Sequence, residues 1–319
     1  MRPSNPARTL ARAAGWSALA LALAWAGTRY LDSGNHLVAV PAALAPFAIA
    51  PAAVGLAVLA ATRHRLGAAV GVVVLAASCA AQLPVYVASG VSGGRPFTVM
   101  TLNMARGMAD ASTVVALARR ENADVVALEE MTPEAVERLR AAGLTTDYPY
   151  AITAPAPEAR GVGIFSRHPL LESGTEHQWE LGAVSASIDL GTGGSSAPRV
   201  FAVHVPAPWP QHDGEWLAHL ARVAPRLAAI SQPVLVAGDF NATLDHEPFR
   251  AMLTDSRLTD AADEAGAGWL RTYPANRAFP PLIAIDHVLV RGASASEVHT
   301  VTVAGSDHRA LVATVQLPR

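Results

Sequence analysis

The sequence predicts an α/β domain with two packed sheets, preceded by a bundle of helices that cross a membrane. Three long apolar stretches dominate residues 1–88. After residue 95, short apolar runs alternate with amphipathic ones, which predicts strands with a few helices between them. Roughly 225 residues are enough for one domain with a sizeable core. We therefore expect a membrane region at residues 1–88, a flexible Gly/Ser-rich linker at 89–95 and a single α/β domain at 96–319.

Composition and charge separate the same two regions. The chain of 319 residues is 51% hydrophobic and 16% charged, which is more apolar than an ordinary soluble protein. Residues 1–94 contain six Arg and one acidic residue, whereas residues 95–319 contain 18 Arg and 25 acidic residues. The acidic balance of the C-terminal part disfavours a processive nucleic-acid binder, because no net positive field holds a polyanion. The single cysteine, Cys79, excludes disulfides within the chain and a cysteine-based metal site.

The apolar stretches are predicted to span the membrane at about residues 10–29, 37–62 and 66–88, since a span needs about 20 apolar residues. Prolines should kink the second span, and small residues should let the helices pack closely: Pro41, Pro46 and Pro51, and Gly55, Gly67 and Gly71.

The arginines orient these spans. Arg2, Arg8 and Arg12 lie before or at the start of the first span and two more lie between the second and third, and basic segments stay in the cytoplasm. The C-terminal domain is therefore predicted outside the cytoplasm, in a multi-pass protein of the cell membrane. A cleaved signal peptide is the alternative for the first stretch, because Ala24-Trp25-Ala26 resembles a small-x-small cleavage site. That alternative leaves the domain on the same side.

Within the domain, the apolar runs predict strands in the following places: 97–103, 124–130, 150–153, 161–166, 184–190, 200–205, 234–241, 282–290, 298–303 and 309–317. Ser112 is expected to cap a helix that continues to Asn122, and Pro133 to begin a second helix. Residues 216–230 are amphipathic and predict a third helix, which Pro225 must bend or interrupt.

Several of these strands end in polar side chains suited to a metal and phosphate site. The run from Val234 leads into Asp239 and Asn241, which lie two apart and so point to one side of an extended backbone. Other oxygen ligands and two histidines end or follow the remaining strands: Asn103, Glu130, Asp286, Asp307, His204 and His308. Oxygen ligands with several carboxylates suit Mg²⁺, Mn²⁺ or Ca²⁺ better than zinc. A histidine held by a carboxylate beside such an ion can help to activate water.

In this order the motifs resemble the endonuclease/exonuclease/phosphatase superfamily. The resemblance extends from about Pro96 to Pro318 and rests on five short motifs: Thr101-Leu-Asn103, Leu128-Glu-Glu130, Gly238-Asp-Phe-Asn241, Ile285-Asp-His287 and Ser306-Asp-His308. It implies a four-layer α/β/β/α sandwich. It also implies a phosphoester hydrolase that depends on a divalent metal, Mg²⁺ or Mn²⁺, and acts by in-line attack of an activated water.

The resemblance also implies a role for each site residue. Glu130 matches the metal-binding glutamate, with Asn103 and Asp307 near the same cation. The remaining matches are to catalytic positions: Asp239 for the water, Asn241 and His204 for the phosphate, His308 as the catalytic histidine and Asp286 as the carboxylate that holds its ring. Which of His308 and Asp239 takes the proton of the water stays open. One departure is Glu129, where many members have Gln, and it is expected to add negative charge near the cation.

The substrate is a phosphate ester that these residues do not specify: a lipid headgroup, a nucleic acid or a surface polymer. A lipid or polymer close to the bilayer is slightly favoured by the short linker, and the oligomeric state is open. Alternatives are an extracytoplasmic nuclease on DNA or RNA, and a non-catalytic membrane sensor. Zinc hydrolysis through His204, His212 and His219 is a further alternative, although no His-Glu-x-x-His spacing occurs.

Overall fold

The computed structural model describes residues 6–90, 93–177, 179, 181–191, 197–210 and 213–318. In chain order the strands are β1 (Arg95–Asn103), β2 (Val125–Glu129), β3 (Tyr150–Ala154), β4 (Val162–Ser166), β5 (Leu170–Thr175), β6 (Ala183–Ile188), β7 (Arg199–His204), β8 (Val234–Asp239), β9 (Thr259–Asp260), β10 (Asp286–Arg291), β11 (Ser294–Thr302) and β12 (Arg309–Leu317). The helices are α1 (Pro6–Gly27), α2 (His36–Ala43), α3 (Ile49–Ala61), α4 (Arg65–Ala80), α5 (Ala111–Arg120), α6 (Pro133–Ala141), α7 (Leu144–Asp147), α8 (Asp213–Ala228), α9 (Glu247–Ser256) and α10 (Ala261–Glu264).

The strands form two six-stranded mixed sheets. The order in the first sheet is β11-β12-β1-β2-β4-β3, and in the second it is β5-β6-β7-β8-β10-β9. Each sheet has one parallel pair near its centre, β1 with β2 and β7 with β8. The two parallel pairs matter for function, because the ends of their strands carry most of the predicted site.

Strand alternation separates three layers of core. Between the sheets, inward side chains such as Val99, Ala127 and Leu235 form one apolar cluster. On the outer face of the first sheet, Met100 and its neighbours pack against α5 and α6. On the outer face of the second sheet, Val236 and its neighbours pack against α8 and α9. The order helix, sheet, sheet, helix confirms the predicted four-layer α/β/β/α sandwich.

Several local predictions need correction. Asp110, and not Ser112, caps α5, because its Oδ1 accepts the backbone N–H of Thr113 at 2.8 Å. The helix α8 runs through Pro225 to Ala228. Strand β5 was missed because it is mostly exposed, and α9 was missed although a proline stands in its first turn. Residues 282–285 are not a strand; Ile283 makes a single bridge to Tyr273.

The N-terminal helices α1, α3 and α4 pack against one another through small residues, as predicted. A Cβ on Gly55 would lie 2.7 Å from Leu19 Cδ2, and one on Gly71 would lie 2.9 Å from Leu56 Cα. Replacing either glycine would therefore push these helices apart.

The prediction of three membrane spans is met only in part. Within the described residues, one helix, Pro6–Tyr30, is long and apolar enough to cross a membrane, and it lies near the N-terminus, where a signal sequence has the same features. A second candidate is the pair His36–Ala43 and Ala45–Ala61, which bends by 73° as the prolines predict. The third predicted span is a helix of 16 residues, Arg65–Ala80, which is shorter than a span requires.

The N-terminal helices also contact the C-terminal domain. Arg29 pairs with Asp245, and the Arg250 guanidinium donates to Arg29 O at 2.7 Å. The start of the predicted linker is held as well, because the backbone N–H groups of Ser89 and Gly90 donate to Glu264 O at 2.9 and 3.0 Å.

Candidate active site

The polar side chains of the candidate site continue the inward face of the strands. On β8, Leu235 and Ala237 belong to the core between the sheets, and Asp239 is the next residue on the same face. On β7, Ala202 is followed on that face by His204. These side chains therefore cap one end of the inter-sheet core, where rigid backbone holds them in place.

Strand register places Asp239 at the centre of the site. His204 is its partner across the parallel pair β7 and β8, and Asp286 is its partner across the antiparallel pair β8 and β10. His204 Nε2 and His308 Nε2 lie 3.7 and 3.8 Å from Asp239 Oδ2. The other ring nitrogen of His204 donates to Ala159 O at 2.8 Å, which leaves Nε2 facing the carboxylate.

Gly238, next to Asp239, allows the end of β8 to lie close against β7. Its φ is +151°, and a Cβ at this position would lie 1.9 Å from Val203 O on the neighbouring strand. No side chain fits that space.

The turn after Asp239 fixes the backbone and the side-chain orientation of Asn241. Asn241 has a φ of +48°, and its backbone N–H donates to Asp239 Oδ1 at 2.8 Å. Its side-chain amide donates one hydrogen to Val205 O at 2.9 Å. The amide carries a second hydrogen, which is available to a ligand.

His308 and Asp286 form a buried pair. His308 Nδ1 donates to Asp286 Oδ2 at 2.8 Å, and the backbone N–H of His308 donates to Ser306 Oγ at 2.9 Å. The Tyr273 ring lies 4.9 Å from the imidazole, centroid to centroid. Burial alone would lower the pKa of His308, but the carboxylates of Asp286 and Asp239 outweigh it and raise that pKa to about 10. The imidazole therefore carries a positive charge at neutral pH.

The pKa of Asp239 is raised, which favours its neutral acid form. Burial and the nearby charge of Asp286 raise its pKa to about 6, against the opposing effect of His308 and His204. At neutral pH it is still a carboxylate, and one that accepts a proton more readily than an exposed aspartate does.

Asn103 links the two sheets across the site. Its side-chain NH₂ lies 3.1 Å from both Glu130 Oε1 and Asp239 Oδ2, and its oxygen accepts the Ala105 backbone N–H at 2.8 Å. In this arrangement the amide bridges two carboxylates. Its predicted contact with a cation stays a prediction.

Glu130 reaches the site through an unusual backbone conformation. It follows the last residue of β2 and has a φ of +52°, which turns its side chain toward the cleft. Its Oε2 accepts the backbone N–H of Arg106 at 2.7 Å, and its Oε1 lies 3.9 Å from His204 Nε2. Glu130 is therefore oriented by hydrogen bonds while remaining partly exposed.

The neighbouring Glu129 differs from expectation. It is fully buried between the sheets, and Thr101 Oγ1 donates to its Oε1 at 2.9 Å. Burial, followed by the charge of Asp286, raises its pKa well above the ordinary value. This shift favours the neutral acid, so Glu129 adds less negative charge beside the site than expected from its sequence.

A cleft of about 710 Å³ opens over these groups. Six of the eight predicted site residues line it: Glu130, His204, Asp239, Asn241, Asp307 and His308. Asn103 and Asp286 do not line the cleft, but they hydrogen-bond to residues that do: Asn103 to Asp239, and Asp286 to His308.

The donor set fits a hard divalent cation. Asp239, Asp286 and His308 offer ligand atoms within 4.8 Å of one another. Asp286 Oδ2 already accepts a hydrogen bond from His308. We therefore interpret the three residues as a histidine–carboxylate pair, His308 and Asp286, beside Asp239. The carboxylates that face the cleft are Glu130, Asp239 and Asp307, and such oxygens are the ligands that Mg²⁺ and Mn²⁺ prefer.

The zinc alternative gains no support from the residues that can be placed. His212 lies outside the described residues. His219 is fully buried in the outer core of the second sheet, where its ring packs 5.0 Å from that of Trp179. Its pKa falls to about 4 because of burial, so it is a neutral core histidine.

The sequence did not predict the apolar wall that α2 and Leu44 contribute to the cleft. Ala39, Val40, Ala43 and Leu44, from α2 and the residue after it, line the same cleft as the polar groups. These residues lie in an apolar stretch that reads as part of a membrane span, and no local sequence signal marks them as site residues. No sequence pattern predicts the positive φ of Glu130 either.

Comparisons with known proteins agree with this fold. A family model described as the endonuclease/exonuclease/phosphatase family matches residues 100–308. Humanised TDP2 from D. rerio, carrying 14 mutations, aligns with a TM-score of 0.57 and 16% identity, covering 69% of this chain and 99% of that one. An endonuclease/exonuclease/phosphatase from Bacteroides vulgatus aligns with a TM-score of 0.57 and 17% identity over 70% and 99%.

Sphingomyelinase C from Streptomyces griseocarneus aligns with a TM-score of 0.50 and 19% identity, over 69% of this chain and 99% of that one. Among curated proteins no sequence relative was found. At these identities the solved structures establish the fold alone. The family match spans well over half of the chain and includes the strand ends that carry the site. The chain therefore belongs to the endonuclease/exonuclease/phosphatase family.

Proposed function

We propose that this protein is a metal-dependent hydrolase of phosphoester bonds in which an activated water attacks phosphorus. Members of its family are typically hydrolases of such bonds. The observation that carries the proposal is the buried His308–Asp286 pair, whose free ring nitrogen lies 3.8 Å from Asp239 in a carboxylate-lined cleft. A buried histidine that faces two carboxylates at the edge of a cleft is a candidate catalytic group.

The two pKa shifts favour a division of roles. Asp239, with a pKa of about 6, is a carboxylate at neutral pH and suits the base that takes a proton from water. His308, with a pKa of about 10, is protonated and suits the group that neutralises phosphate or protonates the leaving oxygen. Asp286 holds the imidazole in orientation through its hydrogen bond. Asn241 and His204 line the cleft, which supports a role in contacting phosphoryl oxygens.

The metal completes this scheme. Glu130 and Asp307, with Asn103 beside them, would hold Mg²⁺ or Mn²⁺, which when bound stabilises negative charge on the phosphoryl oxygens. The residues of the chain itself then orient the water, accept its proton and balance the charge of the leaving group.

Metal dependence is tested with the full chain purified in detergent and stripped by a chelator. Hydrolysis of bis(p-nitrophenyl) phosphate should return only when Mg²⁺ or Mn²⁺ is restored. Glu130→Gln should raise the metal concentration for half-maximal rate by about 10- to 100-fold, as is typical when a metal ligand or its support is altered. The exposed Glu134→Gln should behave as wild type. Full activity in the chelator, or tightly held zinc, would contradict metal dependence of this kind.

We further propose that α1 anchors the protein in the cell membrane with the catalytic domain outside the cytoplasm. At 22 residues and about 1.5 Å per residue, α1 matches the thickness of a bilayer core. Arg8 and Arg12 both donate to Thr62 O, so the basic residues on α1 lie beside the basic loop that begins at Arg63. Arg29, two residues after the other end of α1, contacts the C-terminal domain through Asp245. Basic ends stay cytoplasmic, which supports this orientation.

Cysteine labelling tests the orientation in a Cys79→Ser background. A membrane-impermeant maleimide should label Glu297→Cys, on the exposed edge of the domain, in intact cells. Ala61→Cys, at the basic end of the helices, should be labelled only after permeabilisation. The reverse pattern would contradict the proposed side of the membrane.

A further inference from the structure

The cleft over the site has two unlike walls. One wall carries the carboxylates and histidines of the site. The other is apolar and combines residues of the catalytic domain, such as Trp209 of the loop after β7, with four residues from outside it: Ala39, Val40, Ala43 and Leu44 of the N-terminal region. Hydrolysis of a phosphate ester needs the first wall alone. The second wall therefore calls for a separate explanation.

The N-terminal wall is held in a fixed position against the catalytic domain. The backbone N–H of Thr243 donates to His246 Nδ1 at 2.8 Å, so the proton of this buried ring is on Nε2. His246 Nε2 in turn donates to Ala39 O at 2.9 Å. A buried side chain that follows the Asp239 turn thus fastens α2 at the edge of the cleft, so α2 is part of the site's construction.

The rim of the cleft exposes large apolar side chains. Val40, Trp209 and Met108 line the cleft and are 42%, 57% and 67% exposed. Leu37, one turn before Val40 on α2, is 73% exposed but does not line the cleft, so it takes no part in this contact. Apolar side chains grouped around the mouth of a site favour an apolar ligand.

Charge around the cleft disfavours a nucleic-acid strand. Arg106 is the single arginine among the described residues that line it, and three carboxylates face the same space. A polynucleotide strand is held by a series of cations along its phosphates. One phosphate group next to apolar chains suits these walls better.

We propose that the substrate is a phosphate ester of a lipid, with its phosphate at Asp239 and His308 and the start of its apolar chains on Val40, Ala43, Leu44 and Trp209. This inference rests on the proposed function. In the reaction, the water oxygen forms a new bond to phosphorus and the bond to the leaving alcohol oxygen breaks. One proton of the water passes to Asp239 and the alcohol oxygen gains a proton from His308. The short turn Thr28–Tyr30, which contains Arg29, follows α1 and leads toward α2, so the wall lies where the anchored helix would leave the bilayer.

Short-chain lipids below their micelle-forming concentration test this contact without the influence of a membrane. The full chain in a non-ionic amphipol, free of detergent and added bilayer lipid, with Mn²⁺, is given monomeric dibutanoyl and dihexanoyl phosphatidylglycerol and bis(p-nitrophenyl) phosphate. Wild-type kcat/KM should rise about tenfold from the dibutanoyl to the dihexanoyl lipid, because added methylene groups gain apolar contact. Val40→Asn should reduce that rise to about twofold. Leu37→Asn, on the same helix but outside the cleft lining, should keep it.

The outcomes separate the inference from the proposed function. Hydrolysis of bis(p-nitrophenyl) phosphate without any gain from chain length overturns the lipid inference and leaves the hydrolase proposal standing. The inference is also overturned when Val40→Asn keeps the wild-type rise, or when a single-stranded oligonucleotide is cleaved with higher kcat/KM than either lipid. Hydrolysis of none of these compounds overturns both proposals.

Discussion

Replacing His308 by asparagine should lower kcat for phosphoester hydrolysis by about 10³-fold while the domain stays folded. The expected loss follows from removing a positioned acid–base group, which typically contributes 10²- to 10⁴-fold. His308 is also the group that Asp286 orients, so the substitution leaves that buried carboxylate without its hydrogen-bond donor. Steady-state rates with saturating Mn²⁺ measure the effect, and the exposed His177→Asn is the matched control. A variant that retains a tenth of the wild-type kcat would contradict the assignment.

The same assignment fixes the sign of the pH dependence. Activity should increase as Asp239 loses its proton, near pH 6 or below when the cation is bound, and decrease as His308 loses its proton, near pH 10. Because asparagine does not titrate, His308→Asn should lose the alkaline decrease and keep the acidic increase. A decrease at the same pH in the variant would assign it to another group.

Replacing Gly238 by alanine should destabilise the catalytic domain by about 3 kcal/mol or more, or prevent its folding. The new Cβ would meet Val203 O at 1.9 Å, and the φ of +151° is one that L-residues rarely adopt. Since Val203 O belongs to the backbone of β7 and the Cβ is fixed directly to the backbone of β8, the two strands must separate to relieve the contact.

Thermal unfolding measures this loss. Gly174→Ala is the matched control, because no heavy atom lies within 4 Å of the Cβ it would add to β5. The control should unfold within about 2 °C of wild type, the range of a surface change. An equally small shift for Gly238→Ala would mean that the strand end is less constrained than the structure requires.

The candidate site was largely predictable because it follows the two-residue period of strands. Asp239 and Asn103 end apolar runs, and alternation puts such ends on the same face as the inter-sheet core. Sequence could also indicate that His308 and Asp286 belong together, through the resemblance of their motifs. It could not indicate which nitrogen meets which oxygen, nor that Glu129 is buried beside Thr101.

The apolar wall was not predictable, for a physical reason. Residues 37–62 form one apolar stretch, and composition does not distinguish a helix in lipid from one that packs on a protein. Asn35 caps α2 by accepting the Leu37 N–H. The helix ends before Leu44, and a short turn follows before α3 begins. The prolines predicted a kink. The long-range hydrogen bond from His246 to Ala39 decides where α2 lies, and it joins residues 207 positions apart.

The most direct measurement of the central claim is product formation in ¹⁸O-labelled water by wild type and Asp239→Asn, side by side, in the full chain with Mn²⁺. The account predicts that wild type releases p-nitrophenol from bis(p-nitrophenyl) phosphate and that each phosphate product gains one ¹⁸O. Asp239→Asn should form product no faster than the uncatalysed reaction. Equal rates for the two proteins, or phosphate without ¹⁸O, would contradict water attack directed by Asp239.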